Sequence, residues 1–597
     1  MPVTAARRHQ DPGDEAKLLL GFIAVAAIAG VGYICYARLH IRKEQLMEAS
    51  LYLLAAAFVF WDTLRYVLTI SAERENAWPH PPLTVDRKRD SQNLRKAFAE
   101  SSIVIGYDIC KKPLLWPDEV RVMQANGFGM TGAGKTTLLL NIIQQDLIRE
   151  AGPQGNRHKV PLIIIDGKGE REFLDDKLLP LIAAAGRLDD LRIIDPSRPE
   201  ISVRFNPFIA ISGQYQEHVS FIFESFDLRE DFFHGHQKTY LSDIVRILYY
   251  TGKRYNIYDI LVMAYDLDVL KEQAAIARAR IERLPDVSHQ QRLNFQMSTR
   301  NLIESFSDPK RVQMIRGLIN QMMTFLEDKL SIITGPYEDL ISIEDVIEEG
   351  RILFVSLNTN KNDDTTRALG RMILQNLQLV IGERYERKRA DMYMPFVSVI
   401  MDEFAPIAYS NFANILQTAR GSNTAFLFAM QSIPQLLSVG KAFQHDVASA
   451  PNTTFMLRTR DEDTAQYFLN ASARVRQLRR SMSVRKKGIF NPTYEDQGVG
   501  SQTEIKETRS EEEHIKNLPV GQMEYLMSDK RFGTIHGHAH VRVPQVDRLS
   551  SVVPEILPRY ASRYNPEIGA NLRFRDVSLE ASRKRGMRSR RRQETER

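Results

Sequence analysis

Cysteine is almost missing from this chain: its 597 residues contain two, Cys35 and Cys110. Two thiols so far apart build neither a disulfide framework nor a thiolate metal site, and a reducing cytoplasmic setting is expected for the bulk of the protein. Excess positive charge is missing everywhere but at one end. The net charge is +6, and residues 581–597 (ASRKRGMRSRRRQETER) hold eight Arg or Lys against two Glu, which is +6 by themselves. The basic pI therefore describes a tail and gives no ground for reading the folded body as a basic nucleic-acid binder. Beyond residue 72 no apolar run approaches twenty residues, so further membrane spans are not expected downstream. No LSGGQ-like signature occurs, which excludes an ABC transporter.

What is present begins at the front. Residues 18–37 (LLLGFIAVAAIAGVGYICYA) are twenty residues without a charge. At about 1.5 Å rise per residue they cover the roughly 30 Å hydrocarbon core, which predicts a transmembrane helix. The run is longer than a signal-peptide core, and no small-x-small cleavage site follows it before Arg38. A second apolar stretch, ASLYLLAAAFVFW from residue 49, meets Asp62 and Arg65 and reads, over 49–70, as a second span or an interfacial helix. Basic residues do not orient the first span, because Arg7, Arg8 and Lys17 precede it and Arg38, Arg42 and Lys43 follow it. Residues 1–72 thus form an N-terminal membrane anchor, and the proline- and charge-rich residues 73–90 form a linker.

The stretch GMTGAGKTTLLL satisfies GxxxxGK[ST] through Gly129, Gly134, Lys135 and Thr136 and runs into an apolar helical pattern. In such a loop backbone N–H groups close around phosphates at a helix N-terminus, the lysine neutralises the β and γ oxygens, and the threonine hydroxyl ligates magnesium. Thr131, Gly132, Ala133 and Thr137 complete the expected contact set. A second anchor is required, and FVSVIM followed by Asp402 and Glu403 supplies it. Asp402 is expected to hold the Mg2+ shell, and Glu403 to orient or deprotonate the attacking water, which favours hydrolysis over nucleotide sensing. One feature sits badly: VMQANGF, just before the loop, carries Gln124 and Asn126 where a buried parallel strand is usually apolar.

Short apolar runs rich in β-branched residues occur at 160–165, 191–194, 352–357, 424–430 and 453–457, with helical stretches between them. They predict an α/β fold, a RecA-like P-loop NTPase core with a parallel sheet. Between about 213 and 335 the strand pattern stops and helices are expected at 238–250, 267–283 and 312–326. The predicted organisation is an anchor at 1–72, a first nucleotide-binding part at 73–212, an inserted all-helical domain at 213–335, a second nucleotide-binding part at 336–560 and a basic tail at 561–597.

The order of these features resembles the TraG/TraD-type coupling proteins of type IV secretion and conjugation systems, which are related to FtsK and HerA motors. The matching pieces are the anchor, GMTGAGKT, IIIDGKGE from Ile163, IIDPSRPEISVRFNPF from Ile193, the helical insert, VIMDEFAP from Val399 and FLFAMQSIPQL from Phe426. Gly167 is a departure, since the family usually has proline there. The resemblance implies a homo-hexameric ring with ATP between subunits. It identifies Arg420, in QTARGSN, as the finger that reaches a neighbour's γ-phosphate, and Gln431 as the residue that senses that phosphate. Asp166 and Lys168 are read as supporting or intersubunit groups without a catalytic step. It further implies an ATPase at the bacterial inner membrane with its body in the cytoplasm, partnered by type IV secretion channel components, by membrane lipid, and by a relaxase–DNA nucleoprotein or effector proteins as cargo. The rivals are an FtsK- or HerA-like DNA translocase and a docking scaffold that binds ATP without turnover.

Two weaker signals remain. His536, His538 and His540 alternate along TIHGHAHV and share one strand face, with no acidic neighbour in sequence, so they read as strand-face polarity and not as a metal site. Residues 471–490 hold seven Arg or Lys and no acid and precede an acid-rich stretch, either as a surface excursion or as a segment that contacts nucleic acid.

Overall fold

The structure, a computed structural model, describes residues 83–545 apart from 154–155, 209–214, 227–230, 327, 338, 359–363, 388–393, 473, 488–492, 509 and 530–532. The expected anchor at 1–72, its spans at 18–37 and 49–70, and the tail at 561–597 lie outside the described residues. Among the described residues no helix is long and apolar enough to cross a membrane. The chain divides into two units, Met1–Pro81 and Pro82–Arg597, and every described element belongs to the second.

One eleven-stranded sheet organises this unit. In chain order its strands are β1 (Ser102–Tyr107), β2 (Pro113–Pro117), β3 (Ala125–Phe128), β4 (Leu162–Asp166), β5 (Leu191–Ile194) and β6 (Ile352–Ser356). They continue with β7 (Val397–Asp402), β8 (Thr424–Met430), β9 (Thr453–Met456), β10 (Gln522–Asp529) and β11 (Gly533–Val541). The spatial order is β2-β1-β11-β10-β9-β3-β8-β7-β4-β6-β5. The strands from β9 to β5 pair in parallel, as their apolar, β-branched composition predicts for strands covered on both faces. The sheet differs from the wholly parallel one expected. β10, β11, β1 and β2 extend it antiparallel beyond β9, so it is mixed.

The polar strand before the phosphate loop is explained by its position between β9 and β8. Gln124 accepts from Phe426 N at 2.7 Å and donates to Val122 O at 2.8 Å, standing in for ladder bonds at the strand's entry. The Asn126 side chain donates to Val447 O at 3.2 Å. Backbone groups thus partner both polar ends of the Gln124 amide and the nitrogen of Asn126.

Two helices hold the site from behind. Helix α1 (Arg87–Ala99) lies under the antiparallel extension, and helix α2 (Lys135–Ile148) follows the phosphate loop. Between β5 and β6 the described residues form seven α-helices from Tyr215 to Thr334, among them Asp231–Thr251, Leu267–Ile281 and Pro309–Met323. Leu241, Ile244, Val245 and Leu248 recur at helical spacing and are buried in the same core as Leu270 and Leu318. Capping boxes at Asn256/Asp259 and Ser288/Gln291 start two of these helices, with each side chain accepting from the other's backbone N–H. Beyond β9, helix α3 (Glu462–Ala471) leads into a hairpin whose strands Arg474–Lys487 and Thr493–Thr508 pair antiparallel.

Candidate functional site

In an open parallel sheet the carboxyl ends of the strands form the crevice where ligands bind. Here β3, β8, β7 and β4 lie side by side, so Phe128, Met430, Asp402 and Asp166 end at one edge, with Asp402 directly across from Asp166. The loop from Gly129 to Gly134 leaves β3 at this edge. Gly129 N donates to Met430 O at 3.2 Å and Met130 N to Arg458 O at 2.9 Å, which fix the loop between the ends of β8 and β9. Gly134 caps α2 with φ of 104°, a left-handed conformation that favours glycine.

The buried charged network behind α2 fixes its direction. Arg121 donates to both Asp146 oxygens at 2.8 and 2.6 Å, and Arg149 Nε donates to Asp146 at 2.9 Å. Burial pushes the Asp146 carboxyl up, but Arg121 and Arg149 more than offset it and hold it down at about 2. On the other side Arg542, from the segment after β11, grips Asp90 of α1 at 2.9 Å and donates to Asn141 and Gln144 of α2, both at 2.9 Å. Asn141 in turn donates to Val104 O and Ile105 O of β1, each at 3.0 Å. The antiparallel strands therefore brace the phosphate-loop helix.

The structure brings Lys135, Asp402, Glu403 and Gln431 together. Lys135 Nζ lies 3.5 Å from Asp402 Oδ1 and 3.5 Å from Glu403 Oε2. All three are nearly buried, at 5%, 4% and 6% exposure. Gln431, just past the end of β8, donates through Nε2 to both Glu403 oxygens at 3.3 Å. Lys168 Nζ lies 3.7 Å from Asp402 Oδ2. Burial pushes the Asp166 carboxyl up to about 7, with Asp402 opposite adding to the rise against the opposing Lys168 N–H, which donates to Oδ1 at 3.0 Å. Thr136 and Thr137 are half-buried in the first turn of α2, and Thr131 and Gly132 are exposed on the loop.

Arg420 is not part of this cluster. It caps the short helix Ile415–Ala419 and is exposed, pointing to no partner among the described residues. Of the three histidines of β11, His536 finds an acid, though not a local one, and His538 Nε2 lies 3.0 Å from the amide oxygen of Gln522. His536 Nε2 lies 3.0 Å from Glu524 Oε2 on β10, and Ser510 Oγ donates to the other Glu524 oxygen at 2.6 Å. Among the described residues no group of His, Cys, Asp and Glu could hold a metal ion on its own.

Two positions take on meaning only in the fold. Gly167 donates its N–H to Asp402 O at 2.8 Å, and a Cβ there would stand 2.5 Å from Glu403 O. Proline, the family's usual residue, has neither the N–H nor the room. Gln435 was not anticipated. Its Nε2 donates to Glu403 Oε1 at 3.2 Å. The Ser-x-x-Gln spacing from Ser432 signals the capping box that Gln435 completes, but nothing local signals its contact with Glu403.

Residues 397–523 match the family profile described as the TraM recognition site of TraD and TraG. No curated protein matches the chain in sequence. Among solved structures, the sulphate-bound trigonal form of the bacterial conjugative coupling protein TrwBdeltaN70 is 13% identical at a TM-score of 0.50, over 76% of this chain and 93% of that one. The plasmid coupling protein TrwB in complex with ADP and Mg2+ is 14% identical at a TM-score of 0.46, over 77% of this chain and 93% of that one. VirB4 of Thermoanaerobacter pseudethanolicus is 13% identical at 0.42, over 74% and 97%. The segment that carries Asp402, Glu403, Arg420 and Gln431 is thus of the TraG/TraD coupling-protein type, set in an α/β fold similar to that of a conjugative coupling protein.

Proposed function

We propose that this protein is a membrane-anchored ATPase that recruits cargo to a type IV secretion channel and powers its translocation. The observation that carries the reading is the convergence of Lys135, Asp402, Glu403 and Gln431 at the carboxyl edge of the sheet beside a glycine-rich loop. ATP is the substrate and Mg2+ its companion. The residues fit the ion: Asp402 Oδ1 is buried without a hydrogen-bond partner, and Thr136 stands in the first turn of α2, next in sequence to Lys135. Asp402 and Thr136 would hold Mg2+, which when bound neutralises charge on the phosphate oxygens.

This chain's own residues do the rest. Lys135 turns from the two carboxylates to the β and γ oxygens. Glu403 accepts the proton of the attacking water, and its burial keeps that carboxylate out of bulk solvent. Gln431, which holds Glu403 here, turns to the γ-phosphate when it is bound, so it can relay whether that phosphate is present. Arg420, exposed on the surface, serves a neighbouring subunit's site in a homo-hexamer and makes turnover depend on assembly, worth roughly 10³ to 10⁵ in rate for such fingers. The helical run from 215 to 334 is assigned to choosing cargo, either relaxase-bound DNA or effector proteins. Residues 1–72 are assigned to the inner membrane, leaving the ATPase body in the cytoplasm.

The test is the full-length protein in detergent, carrying Glu403→Gln. ATP turnover is expected to fall by about 10² to 10⁴, the usual contribution of a positioned general base, with nucleotide binding kept. Unchanged turnover would remove Glu403 from the mechanism and leave a nucleotide-binding scaffold.

A further inference from the structure

Glu403 is more heavily engaged than a waiting base should be. Its Oε1 accepts from Gln431 Nε2 at 3.3 Å and from Gln435 Nε2 at 3.2 Å. Its Oε2 accepts from Gln431 Nε2 at 3.3 Å and faces Lys135 Nζ at 3.5 Å. A carboxylate offers about four lone-pair sites, and here donors occupy both oxygens. To take a proton from water, Glu403 has to shed at least one of them.

The donors are not alike. Lys135 and Gln431 both have a phosphate to turn to once ATP binds. Gln435 has none. It sits on the tight turn Ile433–Ser438, where its own Oε1 accepts from Gln431 N at 3.2 Å and Ser432 N at 3.3 Å. That capping role fixes the amide so that its Nε2 faces Glu403. The turn is itself pinned from outside, since Ile433 N donates to Thr464 Oγ1 on α3 at 2.9 Å and Gln444 Nε2 donates to Ile433 O at 3.2 Å.

We propose that Gln435 is a positioning residue that holds the Glu403 carboxylate against the end of β8, away from the attacking water, and so keeps ATP turnover low in the absence of cargo. This rests on the reading of Glu403 as the base. Lys135 and Gln431 leave Glu403 when nucleotide binds, and Gln435 is the donor that stays.

Two variants separate the holding contact from the cap. Gln435→Glu keeps oxygen acceptors for Gln431 N and Ser432 N and replaces the amide donor with a carboxylate that repels Glu403. Gln435→Met removes acceptor and donor alike. Full-length protein in detergent is assayed for ATP hydrolysis without DNA or protein cargo. Both variants are expected to raise kcat by about tenfold, the scale of one hydrogen bond to a charged group, with KM for ATP unchanged. Gln435→Met is expected to melt lower through the lost cap, and Gln435→Glu lower through the repulsion of its carboxylate by the buried Glu403. A merely structural role moves the melting temperature and lowers kcat with it. The proposal is overturned if the variants that fold leave kcat unchanged or reduce it. It is also overturned if Gln435→Met raises turnover equally in a Glu403→Gln background, since the effect would then bypass Glu403. Equal turnover of the parent and Glu403→Gln alone would sink the assignment of the base itself, a different failure with a different signature.

Discussion

At the scale of single residues, the site depends on one backbone conformation. Glu403 has φ of 54°, a left-handed value that costs a non-glycine residue on the order of 1–3 kcal/mol. Neighbouring hydrogen bonds hold it there: Gly167 N donates to Asp402 O at 2.8 Å and Phe404 N to Ala429 O at 3.2 Å. The turn after Asp402 is thereby clamped between β4 and β8, and the Glu403 side chain swings toward Lys135 and not into the sheet. Gly167→Ala would place a Cβ 2.5 Å from Glu403 O and 3.1 Å from Asp402 O, both backbone atoms that cannot move aside cheaply. Such overpacking costs about 1–3 kcal/mol, so a lower melting temperature and a larger loss of turnover are expected. Gly167→Pro also leaves Asp402 O without its donor, adding roughly 1–3 kcal/mol. Thermal melts and ATPase rates of the two variants check this; a proline variant as stable as the parent would show that the clamp does not matter.

At the scale of elements, the phosphate-loop helix is the part whose placement costs most and matters most. Its C-terminal half buries Asp146 between Arg121 and Arg149, with the Arg121 guanidinium 4.8 Å from the Phe396 ring and 5.2 Å from that of Trp116. Removing one partner of a buried ion pair costs about 3–5 kcal/mol, because the other charge is stranded, so Arg121→Met is expected to destabilise the protein by that order in chemical denaturation. The acid dependence follows in sign. Asp146 titrates below its ordinary value of 3.8, at about 2. Its contribution is therefore present above the unfolded value and is lost as pH falls through about 2. In Arg121→Met the slope of stability against pH over that acid window should flatten; an unchanged slope would mean that Arg149 suffices.

The same helix shows what the sequence could and could not disclose. Lys135, Thr136 and the apolar face behind them are a local pattern, and so are the β-branched runs that became β4 to β9, because burial on both faces of a parallel sheet leaves its mark residue by residue. Gln124 looked wrong for a strand because the amide it serves, Phe426 N, is 302 residues away. The place of the antiparallel strands β1, β2 and β10 is not legible locally, since it is set by pairing across the chain, Gly106 against Val541 and Gln522 against His540, even though β1 carries a short apolar run, Ile103 to Ile105. His536 seemed to have no acid for the same reason, with Glu524 supplied from the next strand. Residues whose partners are local were readable, and those satisfied by distant strands were not.

At the scale of the whole molecule, the described part of one chain brings Lys135, Asp402, Glu403 and Gln431 together and leaves Arg420 out. Arg420 is exposed, on a different element from the buried cluster, and Gly421 beside it lies so close to the Tyr385 ring that a Cβ would come within 2.3 Å of it. That packing fixes the backbone after Arg420 and directs the residue outward. In the proposed homo-hexamer each working site takes Lys135 from one subunit and Arg420 from the next. Arg420→Ala and Lys135→Ala homo-oligomers should then each be nearly inactive, the first by about 10³-fold or more. Mixing the two proteins under conditions that allow subunit exchange should restore part of the activity, because an interface that joins the Lys135 of an Arg420→Ala subunit to the Arg420 of a Lys135→Ala subunit is intact. Turnover measured against the mixing ratio should peak near equal proportions. A flat line at the level of the separate variants would place Arg420 outside the reaction, or confine its action to its own chain.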